Sequence, residues 1–271
     1  MPGAKFDIHY VFDYFPKQLS TLSLTLTIVG LSILLGLGFG FLVALPRLYK
    51  VPVLQRVSQV YVSFFRGTPI LIQLFLIYYG LPEVLKLFSV DVTRTPVLAF
   101  VVLTYSLHAG AYISEMIRAG VTAVDRGQVE AAYSVGMSGF QAFVRIVLPQ
   151  ALAISLPVFA NLVIATLKDT SLAFSLGVME MTGKAQTLIT LSQHFVETYI
   201  ALAILYFVIS FILEKIFYVL ERRLLKHERQ EAGAGTGRRF GWRSAPTLRN
   251  LLTGTTRGRG GARARDGRSE A

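Results

Sequence analysis

LSTLSLTLTIVGLSILLGLGFGFLVA, residues 19–44, is a run of 26 residues without one formal charge. As a helix it is about 39 Å long at 1.5 Å per residue. That crosses a bilayer's hydrocarbon core of roughly 30 Å with length left for tilt. A helix is the form such a run takes there, because unpaired backbone amides are costly in hydrocarbon. The run is too long for the apolar region of a cleaved signal, and no small-x-small cleavage site follows it before the next turn. Gly36 and Gly40 stand four apart on it, the small-xxx-small spacing of a close helix-packing face.

The same signature recurs four more times along the chain. Residues 57–81 form a second apolar stretch interrupted by Arg66, and 96–119 a third. A fourth begins at Gln150 and stays uncharged through Leu167; the fifth is 198–217. Five spans predict an all-α polytopic membrane protein with its ends on opposite sides. Arg47, Lys50 and Arg56 flank the first connection, Arg118, Arg126 and Arg145 the third, and Arg222, Arg223 and Lys226 follow the last span. The other side holds Lys17, Lys86, Arg94 and Lys184, diluted by acids. The positive-inside rule then puts the N-terminus outside and the C-terminus in the cytoplasm. The expected organisation is an extracytoplasmic segment at 1–18, a membrane domain at 19–225 with a cytoplasmic loop at about 120–149, and a tail at 226–271.

Composition agrees. The chain is 53% hydrophobic and only 16% charged, where a soluble domain carries about a quarter charged residues. The net charge is +11, which would suggest a nucleic-acid partner if it were spread over a folded surface. Ten Arg against Glu231, Asp266 and Glu270 in 229–271 account for +7 of it. That Arg/Gly-rich tail has too few large apolar side chains to offset the entropy of ordering, so a disordered, solvated segment is expected, with contact to anionic headgroups as the alternative and no nucleic acid. There is no cysteine. The sequence contains no G-x-x-x-x-G-K-[ST], no H-E-x-x-H and no G-x-S-x-G. His9, His108, His194 and His227 show no metal-ligand spacing. No cofactor is expected on this chain and no enzymatic activity. Work driven by ATP would need the nucleotide, with its Mg, on another chain.

Between the third and fourth spans lies EAAYSVGMSGFQAFVRIVLPQA, 130–151. Glu130-Ala131-Ala132, then Gly136, Ile146 and Leu148-Pro149 stand at the spacing E-A-A-x3-G-x9-I-x-L-P. The pattern resembles the cytoplasmic coupling loop in permease subunits of binding-protein-dependent ABC importers. Seven positions in register within twenty residues make the resemblance specific. SFFRGTP at 63–69, LIYYG at 76–80, AYISE at 111–115 and LKDTSL at 167–172 are similar to the polar amino-acid branch of that family. The cystine-type permeases look closest, through 168–172 followed by GVME at 177–180. The resemblance covers roughly 15–225 and implies several partners: two ABC ATPase subunits, an extracellular solute-binding protein, and a second permease subunit, identical or a sister chain. It also implies that Glu130, Ala131, Ala132, Gly136, Ile146, Leu148 and Pro149 couple the membrane domain to the ATPase. On physical grounds the loop is expected to be a short helix opening with the small residues, a sharp turn at Gly136 and Gly139, and a second arm burying Phe140, Phe143, Val144, Ile146 and Val147. Pro149 would then start the fourth span, where a missing N–H costs little.

Charges in apolar stretches cost about 2.5–3.5 kcal/mol each on insertion scales, which makes them functional candidates. Arg66, Glu115, Lys168 and Asp169, with Thr170 and Ser171 beside them, are therefore the candidate lining of a substrate path, and His108 is a further candidate whose favoured reading is a packed, hydrogen-bonded histidine. Glu115 and Arg118, three apart, can also pair with each other, and Arg66 can snorkel to the interface. Lys168-Asp169-Thr170-Ser171 breaks an apolar run, and adjacent opposite charges suit a zwitterionic substrate; the same two charges can instead pair at the outer surface. The alternatives are a secondary amino-acid transporter run by an ion gradient, and a scaffold or channel whose charges are structural. The first would need no coupling loop.

Overall fold

The computed structural model describes residues 5–224; the expectation of a disordered tail at 226–271 lies outside the described residues. Eleven α-helices follow one another, and among the described residues there is no strand. They are α1 (His9–Leu19), α2 (Leu22–Leu48), α3 (Pro52–Gly67), α4 (Ile70–Phe75), α5 (Leu81–Lys86) and α6 (Val97–Thr122). After these come α7 (Arg126–Ser134), α8 (Gly139–Ala142), α9 (Leu148–Asp169), α10 (Met181–Ser192) and α11 (Phe195–Leu224). One π-helical turn, Leu76–Gly80, joins α4 to α5, another, Phe143–Val147, joins α8 to α9, and a 3-10 turn, Thr170–Leu176, follows α9.

Four of these are long and apolar enough to cross a bilayer unaided: Leu22–Leu48, Val97–Thr122, the run Gly139–Leu176, and Phe195–Arg223. The fifth expected span is not a straight rod. Pro52–Gly67 and Ile70–Lys86 pass the same test only together and are bent by 114°. The break falls directly after Arg66, where Thr68 is extended at φ −116° and ψ 145°. Pro69 causes it, because its ring disfavours the helical region for the residue before it.

The expectation that Pro149 starts a span is also corrected. The helix starts ten residues earlier, at Gly139, and runs on through the π turn to α9. Proline cannot donate to the carbonyl four residues back, and wider π hydrogen bonding absorbs that defect. Residues 1–18, expected as a segment outside the membrane domain, carry most of α1, whose last turn reaches Leu19.

The bundle is organised on α6: 61% of its apolar window is buried, against 33% for α2 and 22% for α11. Packing against α2 is close because side chains are absent there. A Cβ on Gly36 would stand 3.0 Å from Ala109 Cβ, and one on Gly40 would stand 2.6 Å from Ile113 Cγ2. The expected glycine face is thus real, and the register shows α2 and α6 running parallel. In lipid, where apolar surface gains nothing by leaving its solvent, such van der Waals contact is what holds helices together.

The remaining directions follow from contacts. Ser155 of α9 donates to Met116 O at 3.4 Å, and a Cβ on Gly120 would lie 2.9 Å from Ala151 O. So α9 runs antiparallel to α6. The Phe159 and Phe217 rings meet edge to face at 6.0 Å, which places the last third of α11 beside the middle of α9. At the far end α1 is tied down: Gln18 donates to Thr198 O at 3.1 Å, and the Asp7 amide to Glu197 at 2.8 Å. Thus α2, α6 and α11 end where α7 and α8 sit, and α1 caps the opposite end.

Candidate functional site

At the end where α2, α6 and α11 terminate, the loop projects from the bundle. Asp125 caps α7, its carboxylate accepting from the Gly127 amide at 2.9 Å. The helix therefore begins at Arg126, four residues before Glu130, rather than at the small residues. Its other end is a Schellman cap. The Gly136 amide bonds Tyr133 O at 3.0 Å, and the Met137 amide bonds Ala132 O at 3.1 Å. That geometry needs a left-handed residue, and Gly136 supplies it at φ +82°. Gly139 does not share the role, since it lies within α8 with no positive φ. Ser138 turns the chain into α8 through a reciprocal capping box with Gln141.

The second arm buries less than expected. Val147 is buried and Ile146 half-buried, but Phe140 is 77% exposed, and Phe143 and Val144 are exposed too. Tyr133 and Val135 join them on the outside. Between α7 and α8 runs a groove of about 770 Å³ whose lining includes Tyr49, Arg126, Glu130, Tyr133, Phe140 and Phe143. Of the coupling candidates, Ala132 is buried, Leu148 is half-buried, and Glu130, Ala131, Gly136 and Pro149 are exposed. The structure thus brings an apolar, acid-tipped surface into the open on a tightly capped loop.

The second candidate region is a ladder on α6. Tyr105, His108, Tyr112 and Glu115 recur at i, i+3, i+7 and i+10, one helix face about 15 Å long. Each rung meets a residue from another element. Tyr105 donates to Asp169 O at 2.6 Å. His108 Nδ1 lies 2.9 Å from Gln73 Oε1. The Arg66 guanidinium lies 5.3 Å from the centre of the Tyr112 ring. Glu115 pairs with Arg118 and, at 2.7 Å, with Arg47 of α2. A groove of about 410 Å³ opens beside the lower rungs, lined among others by Arg66, Tyr112, Glu115, Ser155 and Asn161.

Sequence reasoning missed Gln73, Arg47, Tyr105 and Tyr112. Gln73 is buried, and its amide nitrogen points at Phe65 O, Thr68 O and Thr68 Oγ1, each within 2.8–2.9 Å. These are groups left over by the 114° break. Since the Gln73 nitrogen serves those acceptors, its oxygen faces His108, which therefore carries its proton on Nδ1. The signal in the sequence was a lone amide inside ILIQLFLIYY, 70–79.

Lys168 to Ser171 behave differently from one another. Lys168 is exposed, Asp169 and Ser171 half-buried, and Thr170 buried with its hydroxyl on Leu167 O at 2.6 Å. Among the described residues no ion pair joins Lys168 to Asp169. The helix persists through Asp169, then tightens and reverses at Gly177, φ +82°. Glu180 follows, fully buried. It caps α10 by accepting from the Gly183 amide at 3.0 Å and also accepts from Tyr206 at 3.2 Å.

A bundle of membrane-length helices with a polar ladder inside it and a capped apolar loop outside it defines a multi-pass membrane protein. Residues 36–226 match the family described as binding-protein-dependent transport system inner membrane component, and the chain belongs to that family. The L-cystine transport system permease protein TcyL of Bacillus subtilis is 49% identical over 223 residues, 82% of this chain and 93% of that protein. The probable amino-acid ABC transporter permease protein PatM of Vibrio harveyi is 40% identical over 222 residues, 82% of this chain and 97% of that protein. The crystal structure of an amino acid ABC transporter with histidines superposes with a TM-score of 0.72 at 32% identity, covering 81% of this chain and 100% of that one. The chain is therefore a multi-pass permease subunit of the ABC class and not an enzyme. Its ATPase partners are other chains. Family membership sets aside the ion-gradient transporter considered above.

Proposed function

We propose that this permease imports a polar amino acid, with L-cystine the first substrate to test. Its N-terminus lies outside and the capped loop docks on the ATPase in the cytoplasm. The observation that carries the coupling role is the exposed apolar surface of Tyr133, Val135 and Phe140, held by a Schellman cap whose left-handed residue is the motif glycine, Gly136. An ordinary interfacial helix would lay its apolar side along the bilayer; a projecting groove edged by Glu130 fits a protein cleft better. Orientation is supported by Arg47, Lys50, Arg118, Arg126, Arg222 and Arg223, which all sit toward the loop end of the bundle. Extracellular solute-binding protein delivers the substrate, and the second permease subunit completes the path. In this reading the α6 ladder, with Arg66, His108, Glu115 and Asp169, lines the path, and Lys168, Thr170 and Ser171 form its outer margin.

The experiment is uptake of labelled cystine into vesicles holding the permease, its ATPase and its binding protein. ATP-dependent uptake that requires the binding protein is expected. The absence of native cysteine permits single-cysteine labelling in parallel. Position 128 should be shielded from an impermeant outside reagent and position 88 should react. The reverse pattern would overturn the orientation, whereas uptake of other amino acids but not cystine would overturn only the substrate.

A further inference from the structure

The last three turns of α11 carry charge in a pattern that the transport function does not use. Glu214 and Glu221, seven apart, share one edge of the helix. Lys215, Arg222 and Arg223 are exposed; the first two lie about a quarter turn from that edge and Arg223 stands opposite it. No ion pair among the described residues joins these cations to the two glutamates. Between Lys215 and Arg223 lies a shallow groove of about 540 Å³, floored by Ile212, Ile216, Val219 and Leu220 and lined by no carboxylate. The two cations are eight residues apart, about 12 Å along the axis. The lysine is held in place: its ammonium lies 5.0 Å from the centre of the Phe211 ring and 6.0 Å from that of Tyr218. Arg222 packs on the other side of this array, 5.6 Å from the Tyr218 ring.

The position along the helix gives the groove its surroundings. A hydrocarbon core takes about 20 helical residues, so from the first turns of α11 it ends near Lys215–Val219. An ammonium and two guanidiniums, with no ion pair among the described residues, thus stand at the boundary between acyl chains and headgroups, above an apolar floor. A zwitterionic lipid answers the floor but brings its own cation to the rim. An anionic diacyl lipid answers both, with its phosphate against the guanidiniums and ammonium and a chain along the floor. We propose that this face of α11 is a binding site for an anionic phospholipid, with Lys215 and Arg223 as its headgroup contacts. The inference needs only that the chain spans a bilayer, so it stands or falls apart from the substrate and from the coupling role.

The test uses lipid quenching in the full-length chain. With Trp242→Phe as background, Val219→Trp puts a reporter in the groove, and Leu34→Trp puts a control on the exposed face of α2. Each is reconstituted in phosphatidylcholine vesicles with brominated phosphatidylglycerol or brominated phosphatidylcholine as quencher. The groove reporter should prefer the brominated phosphatidylglycerol, and the control should show no preference. A cation near an anionic headgroup contributes enough for about a fivefold preference. Lys215→Gln and Arg223→Gln should each lower the preference by about that factor, while Lys215→Arg should keep it. Equal quenching by the two lipids at the groove overturns the site. So does a groove reporter quenched by neither lipid, which would mean that protein, such as a second permease subunit, covers this face.

Discussion

Gly136 offers a perturbation in which conformation and bulk separate cleanly. No atom lies within 4 Å of where its Cβ would stand, yet φ is +82°. Within this chain a side chain there meets no clash, and the whole cost is the left-handed backbone. For Ala that cost is about 1–2 kcal/mol, which lowers the equilibrium constant for the capped loop roughly five- to thirty-fold. Asn tolerates the left-handed region and is a natural substitute at such caps. The assay is ATP hydrolysis stimulated by substrate-loaded binding protein, in a reconstituted complex matched for permease content. Gly136→Ala should insert normally, retain the ATPase less well in detergent and lose stimulated hydrolysis by up to that factor. Gly136→Asn should recover most of the loss. Gly136→Asp shares the backbone tolerance but adds a carboxylate to the docking face, so it should couple worse than Asn. If Asn is as damaging as Ala, the glycine serves close approach of the partner and not the cap, and this reasoning fails. Wild-type hydrolysis and uptake in all three variants would remove the docking role altogether.

Three further outcomes follow from the geometry. Gly40→Leu must displace Ile113 and the Gly110 carbonyl, which lie 2.6 and 3.0 Å from the added Cβ, and should cost about 1–3 kcal/mol or more in detergent thermostability; Gly38→Leu, with nothing within 4 Å, should be silent in the same melt. Gln73→Leu strands the Phe65 and Thr68 carbonyls at the bend and takes away the His108 partner, so a loss of roughly 1–3 kcal/mol is expected, and an unchanged melting temperature would show that the bend holds without the amide. Asp169→Asn should leave the complex assembled while lowering uptake about tenfold, the effect of one lost charge-assisted contact worth roughly 1.5 kcal/mol; unaltered uptake kinetics would take Asp169 out of the path.

The sequence by itself determined the class of fold and, within the loop, the turn at Gly136. Uncharged runs longer than a bilayer is thick admit only helices, because hydrocarbon offers backbone amides no other partner. That is why three spans were legible to within a turn or two, while the fourth begins well before its expected start at Gln150. The turn at Gly136 was legible for another reason: a helix cap is a local interaction between near neighbours. The break after Arg66 was half-visible, since the Pro69 that causes it stands in the sequence but the angle it imposes does not. Only the tertiary structure decided what the charges meet. Glu115 reads as a partner for Arg118 three residues away, yet Arg47, 68 positions distant, is its other partner. Gln73 and His108 are 35 apart in the chain and Tyr105 and Asp169 64 apart. Such pairs depend on which helix faces are opposed, and that is set by where glycines let α2 close on α6, a contact no local pattern specifies. Exposure of the loop was decided there too: Phe140, Phe143 and Val144 have the composition of a buried arm, and only the path of α8 away from the bundle leaves them open for a partner.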